Sequence, residues 1–161
     1  MKLFFTILSL VSFNLISDDV LNTFNSFIKN DLLFSQETEI NLNEITYSEG
    51  YIQHKDEIIE IFIDTPFKEK YTIENDKLIV FDFEFNQTQT FPISNNESVL
   101  INVLKLGAKL NQVKDLTDKS FKINFNKGSL YIELLSDNIF EIKYKDNMNF
   151  NNIIILKTMN S

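Results

Sequence analysis

The chain has 161 residues, enough for one domain with a sizeable core and not comfortably two. Its 15 basic residues stand against 23 acidic ones, a formal charge of -8 that leaves no clustered positive field for nucleic acid. With no cysteine and a single histidine, His54, the sequence excludes disulfides, thiolate chemistry and multi-histidine metal centres.

In chain order, Met1-Lys2 is followed by a mostly apolar run from Leu3 to Phe13, with no charge until Asp18. One cation followed by an apolar stretch too short to span a bilayer predicts a secretory leader over residues 1–17. Residues 18–161 would then be an exported domain, and the lack of cysteine leaves it no lipid anchor of its own. No later stretch reaches about 18 apolar residues, so no transmembrane helix is expected.

Asp18-Asp19 are placed to cap a helix, and Val20, Leu21, Phe24, Phe27 and Ile28 recur on one face of it as far as Asn30. Alternation then takes over between Leu33 and Tyr47. The run Ile58-Ile59-Glu60-Ile61-Phe62-Ile63 reads as a strand, closed by Asp64-Thr65-Pro66. Lys70–Ile73 follows, then a hairpin turn at Glu74-Asn75-Asp76, then Lys77–Phe85. Alternation in that last run sets Ile79, Phe81, Phe83 and Phe85 against Asp82 and Glu84. Gln87–Phe91 is one more strand, ended by Pro92.

Ser94-Asn95-Asn96-Glu97 has capping-box spacing and opens a second helix carrying Val99, Leu100, Val103 and Leu104, to about Leu106-Gly107. Strands at Lys119–Phe125, Ser129–Leu135, Ile139–Lys145 and Asn152–Thr158 complete the chain. The order predicts an α+β fold: a single curved antiparallel sheet, an unclosed half-barrel, with helices covering the concave side.

Catalytic chemistry is not expected. Three glycines, at 50, 107 and 128, make no phosphate loop. His54 lies in a polar strand without a nucleophile elbow and reads as a surface residue. Asp82 and Glu84 read as a solvated strand face, and Lys105, Lys109 and Lys114 are too dispersed for a phosphate patch.

Gly50-Tyr51-Ile52-Gln53, Thr65-Pro66, Leu78-Ile79-Val80-Phe81-Asp82 and Asn86-Gln87 together resemble the periplasmic outer-membrane lipoprotein carrier family (LolA-like). Phe34-Ser35-Gln36 upstream and Lys143–Leu156 around Asp146 extend the resemblance. The resemblance implies an acyl-chain cavity at Ile59, Ile61, Ile63, Phe81 and Phe83. It also implies lid helices presenting Val20, Leu21, Phe24, Val99, Leu100, Val103 and Leu104. The family's latch arginine, which holds the lid by hydrogen bonds to backbone carbonyls, falls on Lys55. Lysine keeps the charge and loses the planar fork.

The implied function is a periplasmic carrier, monomeric and without cofactor, shielding lipoprotein acyl chains from water. It would take lipoproteins from an inner-membrane ABC exporter and pass them to an outer-membrane receptor. The alternative from another class is an exported envelope sensor or protein-interaction module of similar fold.

Overall fold

The computed structural model describes residues 17–41, 44–93, 99–125, 128–146 and 148–159. The leader segment before Ser17 and the capping box at Ser94–Glu97 lie outside these residues, as do the side chains of Asp18, Asp19 and Val99.

Runs of β-branched and aromatic residues become strands because such side chains pack well on a pleated surface. From the N-terminal side they are β1 (Leu32–Asn41), β2 (Glu44–Lys55), β3 (Ile58–Thr65), β4 (Glu69–Glu74), β5 (Lys77–Asp82) and β6 (Gln87–Pro92). The second series is β7 (Val113–Lys114), β8 (Ser120–Phe125), β9 (Gly128–Ser136), β10 (Ile139–Lys145) and β11 (Asn151–Thr158). Helix α1 (Ser17–Phe27) precedes the first series, and α2 (Val99–Leu106) separates the two.

All eleven strands form one sheet in the order β6-β5-β4-β3-β2-β1-β11-β10-β9-β8-β7, every pairing antiparallel. The chain starts at the centre of the sheet and meanders out to the β6 edge. After α2 it resumes at the opposite edge, β7, and returns to the centre, where β11 pairs with β1. The edges do not meet, so the sheet stays open.

This corrects the expected class. Among the described residues the fold is mostly β, with one unclosed sheet of eleven strands and two short α-helices of 11 and 8 residues. Helices do not cover the concave side. The physical reason is length, since an eight-residue helix rises about 12 Å while strands stand about 4.8 Å apart. Two such helices shield a few strands, not eleven.

The register makes one face continuous across the sheet. On it lie Leu78, Ile73, Ile59 and Ile61, then Ile52, Leu32 and Phe34, then Leu156, Ile154, Phe140 and Ile142, and last Ile132, Leu130, Phe121 and Ile123. Helix α1 packs on the β8–β10 part of this inner face. Phe24 meets Phe121 and Phe140 edge-on, with ring centroids 5.4 and 5.2 Å away, and is fully buried. Asn30 closes α1 by donating its amide to the carbonyls of Ser26 and Phe27, at 3.1 and 3.0 Å.

Asn25 ties the two helices together. Its Nδ2 donates to the Ala108 carbonyl at 2.9 Å, and the Ala108 N–H donates to its Oδ1 at 2.7 Å. Gly107, at φ +73°, turns the chain out of α2 directly against this amide, where a Cβ would lie 2.7 Å from Oδ1.

Candidate functional site

Where α1 does not reach, the inner face of β1 to β5 and β11 lines a cavity of about 480 Å³. Alternation along each strand supplies its wall: Phe34 from β1, Ile52 from β2, Ile61 and Ile63 from β3, Ile73 from β4 and Leu78 from β5. Helix α2 contributes Leu100, Ile101 and Leu104 on one side.

Polarity along the wall is graded. One ladder row crosses Ile59, Ile73 and Leu78, and the next crosses Ile52, Ile61, Tyr71 and Val80. The third crosses Gly50, Ile63, Glu69 and Asp82. Gln36 and Ser48, paired across β1 and β2, join the polar end of the lining. There the Tyr71 hydroxyl donates to Glu69 Oε2 at 2.6 Å. Burial raises the Tyr71 pKa most, and the hydrogen bond and charge of Glu69 raise it further, so the phenol stays protonated and donating.

The outer face carries a separate polar cluster. Glu60, buried on β3, receives Lys55 Nζ at 2.6 Å and also Lys70 Nζ. Hydrogen bonds from Lys55 and Lys70 hold its carboxyl below the usual range. Lys70 also lies 5.2 Å from the ring centroid of Phe62, which stacks on Tyr51 at 4.6 Å.

Of the residues singled out for the acyl cavity, Ile61 and Ile63 line it and Ile59 is buried in the core beside it. Phe81 does not join them. It pairs with Lys70, placing it on the outer face, and it is Leu78 that lines the cavity from β5. Phe83 is in the turn after β5, 49% exposed, with its ring 4.8 Å from that of Phe81. The strand stops at Asp82 because its carboxylate accepts the N–H groups of Glu84 and Phe85, at 2.8 and 3.0 Å.

Val20, Leu21 and Phe24 of α1 are core residues, as are Val103 and Leu104 of α2, with Leu104 and the half-buried Leu100 also facing the cavity. Lys55, expected to bond helix-end carbonyls, instead lies on the outer face, where the sheet separates it from both helices. The cation that joins α2 to the sheet is Lys105, which donates to the Asn75 carbonyl and lies 3.5 Å from Asp76. No signal in the sequence marks it, since it is one of fifteen lysines. Asn75, at φ +52°, makes the β4–β5 turn that presents this carbonyl.

His54 is half-buried on the inner face, opposite Ile59, and not the surface residue expected of it. Burial lowers its pKa, against the raising pulls of the Asn30 backbone and of Asp31. Among the described residues no cluster of three His, Cys, Asp or Glu is placed to hold a metal ion. No helix among them is long and apolar enough to cross a membrane. No protein-family model matches this sequence, and no curated protein matches it.

Proposed function

We propose that this protein binds an acyl chain in the inner-face cavity and serves as a periplasmic carrier of lipoproteins. It would receive them from an inner-membrane ABC exporter and deliver them to an outer-membrane receptor. The observation that carries the reading is the cavity itself, about 480 Å³ of space walled by Phe34, Ile52, Ile61, Ile63, Ile73 and Leu78. A filled core has few voids larger than a water molecule, so a cavity of this size in an apolar wall is the mark of a ligand.

The energetics suit a carrier. Transferring a sixteen-carbon chain from water is worth roughly 12 kcal/mol at about 0.8 kcal/mol per methylene. The resemblance of Gly50–Gln87 to lipoprotein carriers names the cargo, and the cavity supplies a place for its chain.

The test is native mass spectrometry of protein purified from the cell envelope, joined to uptake of a solvatochromic lipid probe. Acyl-bearing cargo is expected in the native sample, and Ile61→Glu should abolish probe uptake while the fold survives. An empty protein that takes up no probe would instead favour an interaction module whose face binds protein.

A further inference from the structure

Resting on that reading, one property of the cavity goes beyond it, because the polar end of the wall has a definite sign. Among the described residues that line the cavity, Glu69 is the only charged one, and no cation is among them. Asp82, opposite Glu69 in the ladder, does not join the lining and turns its carboxylate to the N–H groups of Glu84 and Phe85. The nearby Lys70 is turned to the outer face, where it is bound to Glu60. Gln36 and Ser48 complete the polar end with neutral groups. Of the donors at this end, the Tyr71 hydroxyl is engaged with Glu69 and the Gln36 amide with Thr38 and Asn152.

We propose that the cavity selects chains whose polar end is a hydrogen-bond donor, an amine, an amide or a hydroxyl, and rejects free carboxylates. A chain lying along the graded wall puts its tail against Ile73 and Leu78 and its head beside Glu69. There a carboxylate meets like charge with no cation to offset it. A donor finds an acceptor oxygen, since Tyr71 occupies only Oε2 of the Glu69 carboxylate. An amide-linked acyl chain, with its N–H, meets this requirement; an ester-linked chain brings no donor, and a free fatty acid brings like charge.

The experiment is displacement of a solvatochromic probe from the full chain at neutral pH by dodecylamine, dodecanol and dodecanoate. The three share a tail, so the ranking reads the head alone and needs no variant to fold. The amine is expected to bind tightest and dodecanoate weakest. Glu69→Gln, nearly isosteric, should narrow the amine-to-carboxylate ratio by about tenfold or more, as befits loss of a charge-assisted hydrogen bond. Dodecanoate binding as tightly as the amine, or a ratio that Glu69→Gln leaves unchanged, overturns the proposal while leaving acyl binding intact. If neither the probe nor any of the three binds, the carrier reading fails and this selectivity with it.

Discussion

The two halves of the inner face are built from the same residue types and put to opposite uses. Beneath α1 and the part of α2 that packs on β9, Phe121, Ile123, Leu130, Ile132, Phe140 and Ile142 are at most 1% exposed. Across the sheet, Ile61, Ile63, Phe34 and Leu78 stay half-exposed around the cavity. The strands do not differ in kind, since both halves turn large aliphatic and aromatic residues to the inner face. What differs is the supply of large side chains from above. Phe24 and Phe27 of α1 fill one half, and α2 reaches the other only along one side of its wall. Core and cavity are therefore decided by the helix facing a strand, not by the strand.

The largest expected effect breaks this comparison directly. Phe24→Ala empties a site fully enclosed by Phe121 and Phe140 and should cost about 3–5 kcal/mol of stability. Ile61→Ala, at a wall already bordered by empty space, should cost clearly less than the roughly 2–5 kcal/mol of an enclosed site and weaken probe binding instead. Urea unfolding of both variants, with probe titration, checks the contrast. Equal losses of stability would mean that the two halves are packed alike.

How much of this was legible in the sequence follows the same division. Strand positions were legible because Ile58–Ile63 and Ile139–Lys145 combine β-branched residues with alternation, and α1 because Val20, Leu21, Phe24 and Phe27 fall on one face. The face that β5 turns inward was not. Leu78 and Val80 alternate with Ile79 and Phe81, so both faces are apolar and alternation alone chooses neither. The two acids that marked a solvated face, Asp82 and Glu84, sit at the strand end and in the turn, where they report nothing about the faces. Lys55 failed for a similar reason: charge identifies a donor, and only the register shows that its side of β2 is turned away from the helices. The scarcity of helix could not be weighed either, because strand number had to be known before helix length became telling.

A second prediction concerns the strand between the two halves. Gly50 faces Phe34, one of the cavity wall residues, beside a register shift where β2 meets β3. A Cβ there would stand 1.8 Å from the Phe62 carbonyl oxygen and 2.9 Å from Phe34 Cε1. Backbone cannot yield as a side-chain tip can, so Gly50→Ala should cost about 1–3 kcal/mol and displace Phe34 into the cavity. Lower probe affinity together with a lower urea midpoint is the expected result. A variant as stable as the parent would show that the β2–β3 ladder gives way freely at this point.

The smallest effects sharpen the comparison by acidity, because His54 titrates on the inner face and Glu60 on the outer. On the inner face, His54 has its pKa lowered by burial, which outweighs the pull of Asp31. The unfolded chain then binds the proton more readily than the folded one. Stability is full above the ordinary value of 6.5 and falls as pH drops from there towards the depressed folded value. On the outer face, Glu60 is held below its ordinary 4.5, so its contribution is present above that value and is lost as pH falls through the depressed one. The histidine's window opens below 6.5 and the carboxylate's only below 4.5. His54→Gln should flatten the stability curve as pH falls below 6.5 and leave the carboxylate's limb. Glu60→Gln should flatten only the lower limb, by about 1 kcal/mol or less because its lysine partners are solvent-screened. Urea unfolding in steps of pH separates them, and a decline that both variants share in one window would mean that the titrating group lies elsewhere on the sheet.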